Sequence, residues 1–250
     1  MKKDIVIVTS AYGIDTVRRL GGQAALLPVI QAGGADGVEI RHELLSSTDQ
    51  LEPLAAQIDA HGLFAIYSVP QPLLTENGQP DLARLRAHLN DARRLRARLL
   101  KLPLGTWRDD TDLSAIPAVL RDFPVRLVIE NDQTPEGGRI APLAAFFERV
   151  AAGNLPIAMT FDMANWHWLD EDALTAAAAL AEHVAYVHVK ASRADAGGRL
   201  AAVSLDNSDG RWRELLSRLP AEAPRGIEFP LEGDDLAEVT RYYVTKLKEV

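Results

Sequence analysis

Four ionisable side chains stand inside apolar runs, where an unpaired charge would be costly. Glu130 closes LVIE, Asp162 follows Phe161 in IAMTFD, His188 lies within YVHVKAS and Glu228 sits in GIEFPLEG. Taking a carboxylate out of water is expensive unless a cation or hydrogen bonds compensate it. Three carboxylates brought together would also repel and raise one another's pKa. A bound divalent cation relieves both costs. Oxygen donors with one imidazole suit Mn2+, Mg2+ or Co2+, and Zn2+ also accepts such a set. The spacings of 32, 26 and 40 residues each approximate one strand–helix unit, so the four fit successive strands. Taken singly, a carboxylate at a strand end is more often a helix cap or a solvated loop group. Four on successive strands make that bland explanation a poor account of the set.

Other polar groups cluster near the same strand ends. Glu39, Arg41, His42 and Glu43 end a second strand; Arg41 and Glu43 read equally well as a rim salt bridge or as substrate contacts. Lys101 lies inside a strand, where a lone ammonium is costly, so it is expected to meet a carboxylate such as Glu39 or Glu130. Lys190 and Arg193 follow His188 and could hold a phosphate or carboxylate of a substrate, with a solvated loop the equal alternative. Asn165, Trp166 and His167 follow Asp162; Trp166 and Trp168 could wall a sugar face or merely cover a rim. Tyr67 and the alanine-rich stretch near 176–181 read as packing.

The elements that must position these groups alternate regularly. Short apolar runs at Asp4–Ser10, Gly37–Glu43, Phe64–Pro70, Leu99–Gly105, Val125–Asp132, Pro156–Met163, Tyr186–Ser192 and Arg225–Leu231 read as strands buried on both faces of a parallel sheet. Between them lie helical segments near Val17–Gln31, Gln50–His61, Asp81–Arg98, Leu113–Arg121, Leu143–Ala152, Glu171–His183, Gly210–Leu219 and Asp234–Lys248. The clearest, Asp81–Arg98, carries Leu82, Leu85, Leu89, Ala92 and Leu95 at three- and four-residue steps. Eight units in 250 residues average about 31 each, the repeat of a (β/α)8 TIM barrel. Gly33-Gly34 and Gly197-Gly198 punctuate loops, and no linker divides the chain. The expected fold class is therefore α/β, a single barrel domain over residues 1–250; a doubly wound open sheet would rarely repeat so evenly. In such a barrel the strand C-termini converge on one face, where the four ionisable residues would meet.

Composition narrows the partners. Apolar residues make up 47% and charged residues 25%, an ordinary globular balance. A net charge of -8 argues against nucleic acid or an anionic membrane as partner. The absence of cysteine excludes disulfides, thiolate sites and a cysteine nucleophile, and suits a cytoplasmic setting. The opening MKKDIVIVTS is interrupted by Asp4 and too short for a signal peptide's apolar region, so it reads as a first strand.

The order of ENDQ, TFDMANW, HVK and IEFPLEG, with GADGVEIRHEL before them, resembles the xylose-isomerase-like barrels, which include sugar and sugar-phosphate isomerases and epimerases. The resemblance spans essentially the whole chain. It implies one divalent metal ion held by Glu130, Asp162, His188 and Glu228. It also implies that Glu130 and Glu228 transfer a proton next to a carbonyl, through a metal-stabilised enediolate of a sugar or keto-acid. Glu39, Arg41, Lys101, Asn165, Trp166, His167, Lys190 and Arg193 are then the candidate substrate contacts. Ketose 3-epimerases of this kind commonly carry a histidine three residues after the ligand aspartate; this chain has Asn165, so no particular sugar follows. Related barrels act as keto-sugar or inosose dehydratases, and a barrel that binds a metabolite without turnover is a third reading. The apurinic-site nucleases of this fold need extra histidines on the third and fourth strands, which here end YSVPQ and KLPLG. A homo-oligomer is a further expectation, since dimers and tetramers are frequent in the superfamily.

Overall fold

The computed structural model describes residues 3–46, 50–195 and 197–250. Eight parallel strands close a barrel: β1 (Ile5–Val8), β2 (Gly37–Arg41), β3 (Phe64–Ser68), β4 (Leu99–Pro103), β5 (Arg126–Glu130), β6 (Ile157–Asp162), β7 (Val184–Val189) and, after an inserted hairpin, β10 (Arg225–Ile227). The hairpin pairs β8 (Ala191–Ala194) with β9 (Leu200–Val203) in antiparallel register. Around the barrel run α1 (Ile14–Arg19), α2 (Leu27–Ala32), α3 (Leu51–Ala60), α4 (Leu82–Arg94), α5 (Ile116–Leu120), α6 (Ile140–Ala152), α7 (Ala173–Leu180), α8 (Trp212–Ser217) and α9 (Leu236–Lys248). This is the (β/α)8 TIM barrel expected from the sequence. Among the described residues no helix is long and apolar enough to cross a membrane.

Side chains alternate across each strand, and this alternation separates two apolar clusters. Ile5, Ile7, Ala65, Tyr67 and Val187 join the large core between strands and helices, whereas Val6, Ile66 and Tyr186 form a small cluster with Phe64 and Leu99 packed against it. The small cluster therefore lies inside the barrel.

Several helix boundaries differ from the sequence expectation for physical reasons. The segment 17–31 is not one helix: Gly21 and Gly22 adopt φ of 94° and 115°, which breaks it into α1 and α2. Pro28 then stands in the first turn of α2. Helix α4 starts where Asp81 accepts a hydrogen bond from Arg84 N, and stops before Arg96, which takes a left-handed φ of 55°. The hairpin departs from the strand–helix alternation of the sequence. Its turn contains Gly197 and Gly198, read from the sequence as loop punctuation, and the backbone of Asp195 pairs with Arg199 across it.

Candidate metal centre

The strand alternation that sorts the core also sorts the ionisable groups. Glu39 stands between the outward-facing Val38 and Ile40, Lys101 between Leu100 and Leu102, and Asp162 between Phe161 and Met163. His188 stands between Val187 and Val189, and Glu228 between Ile227 and Phe229. Each of the five must therefore point inward. Register completes the arrangement: Asp162 is the direct neighbour of His188 across β6 and β7, and Glu228 N donates to Val189 O at 3.1 Å.

One donor atom from each of Glu130, Asp162, His188 and Glu228 lies within 4.8 Å of the others. His188 Nδ1 faces Glu130 Oε1 at 2.7 Å, Glu228 Oε2 at 3.1 Å and Asp162 Oδ2 at 3.9 Å. Asp162 is fixed from behind. Its N donates to Asn131 Oδ1 at 2.8 Å, its O accepts from Asn131 Nδ2 at 3.0 Å, and its Oδ1 accepts from Ala164 N and Asn165 N, both at 2.8 Å.

Below the quartet lies a buried polar layer. Glu39 Oε2 accepts from His188 Nε2 at 2.7 Å and from Tyr186 Oη at 2.9 Å. Lys101 Nζ donates to Glu130 Oε2 and lies 3.6 Å from Glu39 Oε1. The ammonium thus meets both of the carboxylates its burial called for. Above the quartet, Arg41 Nη1 reaches Glu228 Oε1 at 3.0 Å, and its Nη2 reaches Glu43 at 2.7 Å. Lys190 Nζ lies 3.3 Å from Glu228 Oε2, 3.5 Å from Asp162 Oδ2 and 3.2 Å from Asn165 Oδ1.

Charge alone does not call for an ion. The four carboxylates Glu39, Glu130, Asp162 and Glu228 face Arg41, Lys101, Lys190 and a His188 whose pKa is raised well above the imidazole range, because Glu39, Glu228 and Glu130 outweigh the cost of its burial. The sequence argument made a divalent cation the compensating charge; the protein supplies cations of its own. The unmet need is local. Glu39 Oε1, Glu130 Oε1 and Asp162 Oδ2 are buried without a well-formed hydrogen bond; the last two face His188 Nδ1, Glu130 Oε1 as an ion pair at 2.7 Å. Burial, with Glu228 and Glu130 close by, pushes the Asp162 carboxyl up to about 7 despite Lys190. Burial also opposes the ionised forms of Glu39 and Glu228. There it loses: His188, Lys101 and Arg41 hold Glu39 at about 2, and Lys190 and His188 hold Glu228 well below the usual carboxylate range. Two orphaned carboxylate oxygens converging on one imidazole nitrogen are what a hard or borderline divalent ion satisfies.

No family model matches the sequence, and no curated protein does either. Solved structures resemble it over nearly its full length. An L-ribulose 3-epimerase superposes with a TM-score of 0.71 at 16% identity, covering 99% of this chain and 95% of that one. The protein IolI, solved with a bound zinc atom, gives 0.73 at 13%, covering 100% and 98%. The probable 3-DHS dehydratase AsbF of Bacillus anthracis gives 0.68 at 12%, covering 98% of each. The fold is that of the xylose-isomerase-like barrels. Identities this low speak for the fold alone, and the chemistry rests on the side chains.

Within this barrel the remaining candidates divide into three groups. Arg41, Lys190 and Asn165 border the quartet. Glu39 and Lys101, read from the sequence as candidate substrate contacts, are buried beneath it with their polar atoms turned toward the barrel's own groups. Trp166 is completely buried, tilted against Phe161, which is the rim-covering alternative raised above. Exposed His167 bonds Ser192 Oγ at 2.7 Å and with Lys190 and Trp212 lines a cavity of about 110 Å³. Trp168 lies 5.9 Å under the Lys190 ammonium, and exposed Arg193 donates to Asn207 O from β8. Tyr67 does more than pack, since its hydroxyl meets His42 Nδ1 at 2.7 Å. Sequence reasoning missed Tyr186, Asn131 and Gln133, the last donating to Asn165 Oδ1 at 3.0 Å. Tyr186 was within reach, because two residues before His188 on one strand means the same face.

Proposed function

We propose that this barrel is a divalent-metal-dependent sugar, sugar-phosphate or keto-acid isomerase or epimerase. The observation that carries the reading is the pair of buried oxygens without a well-formed hydrogen bond, Glu130 Oε1 and Asp162 Oδ2, converging on His188 Nδ1 beside Glu228. Glu130, Asp162, His188 and Glu228 are the residues that would hold the ion. When bound, it supplies Lewis acidity, lowering the pKa of a C–H between a carbonyl and a hydroxyl and favouring negative charge on oxygen.

The chain's own residues divide the remaining work. Asp162 and His188 have no exposed side-chain surface, whereas Glu130 and Glu228 keep 12% and 14%. The two glutamates are therefore the carboxylates that reach a substrate at the mouth, one removing the proton and the other returning it for epimerisation. Lys101 holds Glu130 from below, and Arg41 and Lys190 hold Glu228 from the side. Arg41, Lys190 and Asn165 border the space above, where they orient oxygen atoms of the substrate. The positive charges of Arg41 and Lys190 favour an oxygen-rich, electron-dense ligand. Tight burial under the quartet keeps water from the back of the site.

The test is a panel of ketoses, their phosphates and keto-acids, assayed with Mn2+, Mg2+, Co2+ and Zn2+ on the parent chain and on Glu228→Gln. Turnover with inversion or carbonyl migration is expected for the parent. The variant should lose about 10²–10⁴-fold in kcat with its fold intact, the span of a general acid or base. Full activity of Glu228→Gln would refute its role, and a product lacking one water would replace isomerisation by dehydration.

A further inference from the structure

Beneath the quartet, one carboxylate meets His188, Tyr186, Lys101 and Arg41. Glu39 is fully buried on β2, and its Oε2 receives His188 Nε2 and Tyr186 Oη while its Oε1 faces Lys101. We infer that Glu39 is a positioning residue that fixes the tautomer of His188, so that the ring presents Nδ1, not Nε2, to the ion. This rests on the metal site proposed above.

The two ring nitrogens have unequal surroundings. Nε2 is 2.7 Å from a carboxylate oxygen on the floor side, and Nδ1 faces the three other quartet residues. An ionised carboxylate only accepts hydrogen bonds, and Tyr186 Oη donates to the same Oε2 while the Lys101 ammonium stands 3.6 Å from Oε1, so every contact of Glu39 is that of an acceptor. The proton therefore stays on Nε2 when His188 is neutral, leaving the Nδ1 lone pair for a cation. A carboxylate behind a ligand histidine also raises the ring's basicity and stops its rotation.

The barrel spends space on this contact. A Cβ built at Gly226 would lie 2.2 Å from Tyr186 Oη and 3.1 Å from His188 Cδ2. Position 226, two residues before Glu228 on β10, is thus bare where the hydroxyl that braces Glu39 passes. Lys101 ties the same carboxylate to Glu130, so one buried group braces two candidate ligands on β5 and β7 at once.

The experiment labels the histidines with 15N and records imidazole nitrogen shifts in the zinc-loaded protein, alongside Zn2+ affinities of the parent, Glu39→Gln and Glu39→Leu. In the parent, the ring whose shifts move on adding zinc should carry its proton on Nε2 and the ion on Nδ1. Glu39→Gln keeps an acceptor oxygen and should keep that tautomer while binding Zn2+ about 10-fold more weakly. Glu39→Leu should lose the tautomer and about 100-fold in affinity, the usual span for such partners. Zinc on Nε2 in the parent overturns the inference and leaves the metal site standing, as does an unchanged affinity in Glu39→Gln. No zinc binding by the parent overturns both. Should Glu39→Leu fail to fold, the parent's tautomer still decides.

Discussion

Replacing Lys101 by methionine tests the buried layer as an energetic unit. Lys101 is 2% exposed, donates to Glu130 Oε2 and lies 3.6 Å from Glu39 Oε1. Methionine has a similar length, so the volume change is small. What changes is the charge: two buried carboxylates lose the ammonium between them. Removing one partner of a buried ion pair costs about 3–5 kcal/mol, because the other charge is left uncompensated. Glu39 keeps His188 and Tyr186 as donors, which places the expectation at the lower end, about 3 kcal/mol. In a chain of this size 1 kcal/mol moves Tm by about 2–4 °C, so Lys101→Met should melt roughly 6–12 °C below the parent. Circular dichroism with heating, repeated in urea, reads both quantities. Saturating Mn2+ should restore part of the loss, since the ion reaches Glu130 but not Glu39. A variant within about 1 kcal/mol of the parent would refute the claim that Lys101 compensates these carboxylates.

Two further substitutions test how the elements place the site. Gly226→Ala puts a methyl group where Tyr186 Oη and His188 already lie; overpacking of this kind costs about 1–3 kcal/mol in denaturant titration, and a neutral outcome would show that the inner layer is loosely packed. Asp235→Ala removes the side chain that accepts from Ala237 N and Glu238 N at the start of α9. It should cost about 0.5–2 kcal/mol of stability with metal affinity unchanged, and a change in affinity would mean that α9 communicates with the centre.

The barrel was legible because its strands are buried on both faces, so each reads as a short apolar run, and because an inward polar residue interrupts five of them at the same phase. Its place inside an apolar strand, where a lone ammonium is costly, was enough to predict that Lys101 meets a carboxylate. The region 17–31 misled because its apolar residues continue the helical period through Gly21-Gly22, and only the positive φ values of those glycines show the break. The hairpin of β8 and β9 was hidden because only Ala191 among its strand residues is buried, which leaves no buried periodicity. The charge balance of the centre was not legible at all. Whether Lys190 and Arg41 lean over Glu228 or into solvent depends on rotamers and loop paths, and the sequence supports both. Sequence spacing likewise cannot say which carboxylate oxygens lack a hydrogen bond and also face His188 Nδ1, the combination that singles out Glu130 and Asp162.

The most direct test is a melting curve taken with and without added metal, on the parent chain and on Asp162→Asn. If Glu130, Asp162, His188 and Glu228 hold a divalent ion, the parent should bind one ion per chain. It should gain about 2.7 kcal/mol when Mn2+, Mg2+, Co2+ or Zn2+ is present at 100 times its dissociation constant, and Asp162→Asn should gain far less. A parent chain that stays ion-free, with a midpoint unmoved by all four metals, would contradict the account.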